Sequence, residues 1–273
     1  LAATPLCLDS IYGSDMVLPC NTPFAITGEA SPGQEVTVRL GTQPEQRTRT
    51  DARGRWRTAL PTTPPSAQPI DLVVSADHAS VVCTNVLVGD LWLCAGQSNM
   101  AFPLASCDGG AAAAASAADT QLRLLNIACR LPTHNTPWSD SQLALANAPD
   151  LFRRSWCAVS PQTAPKLSGV AVLFGQALRH SRPGVPLGLI QLAVGGAPVE
   201  AFIPAQDGAH RAWLDDPAFP APWCQARAKT NLANALGRVA FAAVRHPYEP
   251  GCLYTDGVVP LTALPVAGVL WYQ

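Results

Sequence analysis

Four apolar runs constrain the fold of this chain more than any other feature. Runs without polar alternation are typical of strands that are buried on both faces. A sheet with two buried faces needs a layer of helices on each side, and such sheets are mostly parallel. We therefore predict an α/β fold with a mostly parallel sheet between helical layers. The runs cover residues 91–94, 122–128, 187–194 and 268–272.

Helical periodicity between these runs supports this prediction. Apolar residues recur on one helix face in two segments, and each segment stops before a proline, which would interrupt a helix. The stretch from 130 to 166 contains several prolines and is predicted to be loop. The two helix faces consist of Val170, Leu173, Phe174, Ala177 and Leu178, and of Leu232, Leu236, Val239 and Ala243.

The first part of the chain has the pattern of an all-β domain. The segment EVTVRL alternates, with Val36, Val38 and Leu40 on one face and polar residues on the other. Other short strand patterns follow, each bounded by a turn signal. We therefore predict two domains, a β-sandwich over residues 1–88 and the α/β domain over residues 89–273.

The composition excludes several classes of partner. The chain carries a net charge of −1 and only 14% charged residues, which gives no electrostatic basis for binding nucleic acid or an anionic membrane. No apolar run is long enough to insert across a bilayer. The nine cysteines include no C-x-x-C pair and no histidine at zinc spacing. We expect no metal and no cofactor, and small neutral substrates fit this balance best.

A serine follows directly after the first apolar run. In the segment LWLCAGQSNMAFPL the strand pattern ends at Gly96, and Gln97 and Ser98 come next. Reactive groups of parallel α/β sheets gather at the carboxyl ends of strands, so Ser98 is a candidate nucleophile. The same letters also fit an ordinary polar turn. The segment is not the Gly-x-Ser-x-Gly elbow of the α/β-hydrolases, because Met100 stands where the last glycine should be.

Two other strand ends supply hydrogen-bond donors. Gly195 and Gly196 follow the third apolar run, and Gln273 follows the fourth. A Gly-Gly pair alone also fits a tight turn. Together with Ser98, however, these residues provide what acyl transfer needs, which is a nucleophilic oxygen and donors for an oxyanion. The candidate oxyanion hole consists of the Ser98 N–H, an N–H of Gly195 or Gly196, and the Gln273 amide.

The same strand ends resemble a known family. GDLWLCAGQSNMAFPL resembles the Gly-Gln-Ser-Asn-Met block of the sialate O-acetylesterase family, in the SGNH (GDSL-like) hydrolase superfamily. VPLGLIQLAVGGAPVEAF is similar to that family's second block, and LYTDGVVPLTALPVAGVLWYQ to the segment that leads into its Trp-Tyr-Gln-Gly-Glu motif. The N-terminal pattern resembles the jelly-roll-like β domain that precedes the catalytic domain there. The resemblance implies a three-layer SGNH-hydrolase-like domain and hydrolysis of O-acetyl esters on sugars, sialic acids foremost, with Ser98 as nucleophile.

The chain departs from the family's pattern in several places. Val194 and Ala197 replace a usual aromatic residue and a usual threonine beside the glycine pair, and Ala101 replaces a frequent glutamate. These changes bear on substrate preference more than on reaction type. The family's catalytic Asp-x-x-His lies downstream of the Trp-Tyr-Gln block. We therefore expect the α/β domain to be incomplete at its C-terminus and this chain, expressed alone, to be nearly inactive.

None of the histidines in the chain is assigned a role. Asp207 and His210 have the Asp-x-x-His spacing, but they precede Gln273 and lie in a loop rich in Pro, Gly and Asp, so we interpret the match as chance. The other four lie in the β half, in a loop or at helix ends, where single histidines are usually at the surface. They are His78, His134, His180 and His246.

The sequence thus predicts a carboxylic ester hydrolase that acts on a small O-acetylated carbohydrate. One alternative is an acetyl xylan esterase of the same superfamily, although the N-terminal β pattern matches the sialate type. The other is a carbohydrate-binding homologue that keeps the fold without catalysis. The family resemblance suggests a secreted or lysosome-like compartment.

Overall fold

The computed structural model describes residues 4–133, 138–204, 206 and 245–273. Its fold is mixed α/β and is dominated by sheets. None of the helices in these ranges combines the length and the hydrophobicity that crossing a bilayer requires. The strands are β1 (Cys7–Leu8), β2 (Val17–Pro19), β3 (Phe24–Glu29), β4 (Glu35–Leu40), β5 (Gln46–Arg49), β6 (Arg55–Leu60), β7 (Ser66–Ala76), β8 (Ala79–Gly96), β9 (Asp119–Cys129), β10 (Phe152–Val159), β11 (Leu187–Ala193) and β12 (Gly268–Tyr272). The α-helices are α1 (Ser98–Ala101), α2 (Gly110–Ala115), α3 (Asp140–Ala146) and α4 (Gly169–Ser181).

Two of the N-terminal strands, β4 and β6, bury every second residue. In β4, Val36, Val38 and Leu40 are buried, as the alternation predicts, and β6 repeats the pattern. Strands β1, β3 and β6 form an antiparallel sheet, whereas β4, β5 and β7 belong to the larger, nine-stranded sheet. Strand β8 runs unbroken from Ala79 to Gly96 through the predicted boundary after residue 88. The two-domain division itself stays a prediction.

The larger sheet brings the ends of three strands to one edge. Strands β9, β11 and β8 lie side by side and parallel, and Ala193 at the end of β11 is paired with Gly96 at the end of β8. Strand β12 is parallel to β8 on its other side, with Tyr272 opposite Gly96. The polar residues that follow β8, β11 and β12 therefore meet, and this meeting point forms the candidate site.

The sheet differs from the prediction in two places. Residues 152–159 form β10, antiparallel to β9, where the prolines predict a loop. Arg153 and Ser155 are exposed in β10 and interrupt its apolar pattern, because an edge strand does not bury both faces. The prediction that 268–272 is buried on both faces is wrong. Trp271 and Tyr272 are 45% and 47% exposed, and among the described strands β12 pairs only with β8.

The helix predicted around residues 170–178 is present as α4, but it turns a different face to the sheet. Leu173 is 46% exposed, whereas the buried positions include Ala171 and Gly175. A Cβ atom at Gly175 would lie 2.7 Å from Leu122 Cδ1, so the absence of a side chain lets the helix approach the sheet closely. The second predicted helix, over 232–243, lies outside the described residues.

Candidate active site

Strand β8 delivers Ser98 to the edge of the sheet through a sharp turn. Gly96 has a φ of 145°, and a Cβ atom there would lie 2.1 Å from the backbone oxygen of Tyr272. Only glycine permits this approach of β8 to β12. Helix α1 then begins at Ser98, which is exposed, while Met100 is buried beneath it. The turn thus holds the Ser98 hydroxyl at the surface, and the buried Met100 side chain anchors the helix that begins at Ser98.

Three donors converge on one oxygen atom at this edge. The side-chain oxygen Oε1 of Gln97 accepts hydrogen bonds from the Ser98 N–H at 3.0 Å and from the Ser98 hydroxyl at 2.7 Å. It also accepts the N–H of Gly196 at 3.2 Å. An oxygen atom at this point therefore receives two backbone N–H groups while it lies beside a serine hydroxyl.

The glycine pair lies directly against the serine. A Cβ atom at Gly195 would be 3.9 Å from Ser98 Cβ, and the preceding Val194 donates its N–H to the Gly96 carbonyl at 3.2 Å. Gly196 has a φ of 77°, and a Cβ atom there would lie 2.3 Å from the hydroxyl of Tyr248. The requirement for glycine at position 196 is thus both conformational and steric.

Gln273 lies beside the glycine pair but is directed to a different atom. Its amide nitrogen donates to the carbonyl oxygen of Ala197 at 2.9 Å. The end of β12 is held next to Ser98 because Gln97 donates its N–H to the Tyr272 carbonyl at 3.1 Å. Of the predicted site residues, the structure therefore joins Ser98 and Gly196 at one point, with Gly195 and Gln273 adjacent.

No base contacts Ser98 in the part of the chain that the structure describes, where the hydrogen bonds of its hydroxyl and N–H both run to Gln97. Asp207 and His210 lie outside the described residues, so their pairing is untested. The described ranges also contain no cluster of His, Cys, Asp and Glu side chains that could hold a metal ion.

One histidine differs from the prediction. His78 and His180 are exposed, as expected, but His246 is completely buried. Its ring stacks on Trp138 with centroids 5.1 Å apart, and its Nδ1 accepts the N–H of Tyr248 at 3.0 Å. Burial lowers the pKa of His246 to about 4, so the imidazole is neutral at physiological pH.

Sequence analysis missed two residues that contact the glycine pair. Thr133 Oγ1 and Tyr248 Oη both donate to the carbonyl oxygen of Gly195. They lie 62 and 53 residues from Gly195 along the chain, and no motif links them to it. The role of Gln97 was not predicted either, but Gln97 directly precedes Ser98 in the motif, and this position could have indicated it.

Three comparisons with known proteins agree on one kind of enzyme. A family model described as carbohydrate esterase, sialic acid-specific acetylesterase, matches residues 88–215. The sialate O-acetylesterases of Pongo abelii and Homo sapiens are 26% and 25% identical to this chain over 97% of its length. The chain spans 47% of the length of each of these curated relatives.

A solved structure agrees with these matches. The crystal structure of a carbohydrate acetylesterase from Xanthomonas citri is similar with a TM-score of 0.71 and 28% identity, over 98% of this chain and 51% of that one. The comparisons confirm the resemblance that the three sequence blocks indicate.

Proposed function

We propose that this chain carries the nucleophile and the oxyanion hole of a serine esterase of the sialate O-acetylesterase family, which removes O-acetyl groups from sugars, sialic acids foremost. The observation that carries the proposal is the convergence of Ser98 Oγ–H, Ser98 N–H and Gly196 N–H on a single oxygen atom. Gln97 Oε1 occupies the position in which we place the carbonyl oxygen of the acetyl ester.

The geometry of that point suits an attack by Ser98 on the ester carbonyl. In the tetrahedral intermediate the attacking oxygen and the oxyanion are bonded to one carbon, so the two oxygens must lie close together, as Oγ and Oε1 do at 2.7 Å. The Ser98 and Gly196 N–H groups then donate to the negative charge that develops on the carbonyl oxygen. Collapse of the intermediate forms acetyl-Ser98 and breaks the bond to the sugar oxygen, which leaves as a hydroxyl with the proton that Ser98 Oγ gave up; water then hydrolyses acetyl-Ser98 to acetate and a proton and restores the Ser98 hydroxyl.

Two further side chains bear on this arrangement. Gln97 must rotate away from the donors when an ester binds, because its Oε1 and the substrate carbonyl compete for the same position. Gln273 holds the Ala197 carbonyl with one N–H of its amide. Since an amide has two N–H donors, the second is available to the oxyanion or to an oxygen of the sugar.

The finer architecture is also part of this proposal. We assign residues 1–88 to a jelly-roll-like β-sandwich and 89–273 to a three-layer SGNH-hydrolase-like domain. The alternating burial of β4 and β6 supports the first assignment. The parallel pairing of β8, β11 and β12, with Ser98 at their carboxyl ends, supports the second.

The proposal is tested on the intact natural protein that carries this sequence. Ser98→Ala should lower kcat for acetate release by about 10³-fold or more, because no neighbouring side chain replaces the attacking hydroxyl. Ser106→Ala is the matched control, since Ser106 is also exposed and lies a short distance along the chain, in the 3-10 helix that follows α1. It should keep wild-type kcat.

The choice of substrates separates this function from its alternatives. We expect faster turnover of O-acetylated sialic acid than of acetylated xylan oligosaccharides. The reverse order would make the protein an acetyl xylan esterase. Sugar binding without any acetate release would make it a binding homologue and would overturn the assignment of Ser98.

A further inference from the structure

The peptide between Gly195 and Gly196 is held from one side by two hydroxyl groups. The carbonyl oxygen of Gly195 lies 3.0 Å from Thr133 Oγ1 and 2.5 Å from Tyr248 Oη, and both hydroxyls donate to it. Tyr248 Oη also lies 2.8 Å from the Thr133 carbonyl oxygen, so it is shared between two acceptors. We refer to Thr133 and Tyr248 as the carbonyl clamp.

The clamp determines the direction of the Gly196 N–H. The Gly195 carbonyl and the Gly196 N–H belong to one planar trans peptide and therefore point in opposite directions. When the oxygen points toward the clamp, the N–H must point to the other side of the peptide. That side is the one on which Gln97 Oε1 accepts it at 3.2 Å.

A glycine pair needs such a restraint more than other sequences do. Glycine populates positive and negative φ with similar ease, so a Gly-Gly peptide has little intrinsic preference for one orientation. No Cβ atom at position 195 or 196 restricts it. The Ala197 N–H donates to the Val194 carbonyl at 3.0 Å and closes a turn around the pair, and groups outside the loop add a restraint on its central peptide.

The clamp is itself fixed by a buried aromatic cluster. Tyr248 is 6% exposed, and its ring contacts His246 edge to face at a centroid distance of 4.7 Å. His246 stacks on Trp138, whose indole N–H donates to the Pro132 carbonyl at 3.0 Å. Pro132 directly precedes Thr133, so the two clamp residues are joined through one continuous set of contacts.

We propose that Tyr248 and Thr133 are positioning residues that aim the Gly196 N–H into the oxyanion hole by holding the Gly195 carbonyl. This inference rests on the proposed function, and it assigns neither residue a contact with the substrate. Tyr248→Phe removes only the hydroxyl. Because the loss of a whole oxyanion donor costs about 10²–10³ in kcat, we expect Tyr248→Phe to lower kcat by roughly 10- to 100-fold. KM should change by less than about twofold, since the donor acts on charge that develops after binding.

Tyr12→Phe is the matched control. The Tyr12 hydroxyl is also buried and donates to a backbone carbonyl, that of Ala25 at 2.8 Å, but it lies among the N-terminal strands. The control should lose a comparable hydrogen bond without any change in kcat. A merely structural role of Tyr248 would instead lower the melting temperature of both variants and leave kcat per folded molecule unchanged in both. That result would overturn the proposal.

Two further measurements keep the test decisive. Thr133→Val is a milder change if Tyr248→Phe folds poorly, and it should lower kcat in the same direction. A crystal structure of either variant should show the Gly195–Gly196 peptide rotated or in two orientations. An unchanged peptide together with wild-type kcat refutes the clamp. If Ser98→Ala kept its turnover, the proposed esterase would fail instead, and the peptide orientation would still decide the clamp.

Discussion

Acidification should destabilise this protein through His246. Burial lowers the pKa of this imidazole from its ordinary value of 6.5 to about 4. As the pH falls below 6.5, the unfolded chain takes up a proton that the folded chain still refuses, so the equilibrium shifts toward unfolding. The contribution of the neutral His246 ring to the free energy of unfolding is therefore fully present above pH 6.5. It is lost progressively as the pH falls from 6.5 to the pKa of about 4 that His246 has in the folded protein.

The size of the loss follows from the shift in pKa. Each pKa unit corresponds to about 1.4 kcal/mol, so the contribution of His246 to the free energy of unfolding should fall by about 3 kcal/mol between pH 7 and pH 4. The contacts of His246 agree with the direction of the shift. Its Nδ1 accepts the Tyr248 N–H, which a protonated ring could not do, and its Nε2 has no hydrogen-bond partner among the residues that the structure describes. The nearest charged side chain in sequence, Arg245, is paired with Asp256 at 2.6 Å.

The assay compares urea unfolding of the wild type and His246→Asn by tryptophan fluorescence at pH 7, 6, 5 and 4. The asparagine oxygen can still accept the Tyr248 N–H but does not titrate, so its pH-independent cost cancels in the comparison. The difference in unfolding free energy between the two proteins should change by about 3 kcal/mol across this range. His78→Asn, at an exposed position, should follow the wild type. Parallel curves for the wild type and His246→Asn would refute the reasoning.

Two other predictions concern stability. Gly196→Ala should lower the melting temperature more than Gly33→Ala. Both glycines have a φ near 75°, but only at Gly196 would a Cβ atom strike Tyr248, 2.3 Å from its hydroxyl. Equal melting temperatures of the two variants would contradict this prediction. Arg179→Ala should lower the free energy of unfolding by about 3 kcal/mol, because Arg179 is 9% exposed, pairs with Asp119 at 2.8 Å and donates to backbone carbonyls after α4. Arg153→Ala, at an exposed position, should change chemical denaturation little.

The parts of the fold that could be predicted are those whose sequence signal is local. The apolar runs in β8, β9 and β11 mark strands because burial on both faces leaves few polar residues in the sequence, and Arg123 and Gln191 are buried exceptions. The face of α4 was not predictable in this way. The hydrophobic periodicity predicts that the face with Leu173 is buried. In the structure the face with Gly175 is buried instead, because close packing of the helix against the sheet requires small residues.

The same distinction applies to the candidate site. Ser98 and Gly196 follow strand ends, and the rule that parallel strands end at one edge brings them together from sequence alone. Tyr248 and Thr133 lie far from Gly195 in the sequence and contact its carbonyl only because the fold brings them together. No local sequence pattern therefore predicts these contacts. The prediction for His246 failed because the sequence indicated a surface position where the structure has a buried one. A polar residue beside a proline resembles a surface residue, but in the structure the ring of Trp138 stacks on His246.

The unbroken course of β8 leads directly from the N-terminal strands to the turn that carries Ser98. Its first part is paired with β7 and β2, and the register with β7 shifts between Leu72 and Ser66, whereas its last part keeps one regular register with both β11 and β12. A single residue inserted after Asp90 would turn every following side chain to the opposite face and advance Ser98 by about 3.3 Å, unless a bulge absorbed it. A lineage that diversifies this protein therefore has little freedom to change the length of β8 after Asp90, because that length sets the distance between the Ser98 hydroxyl and Gly196.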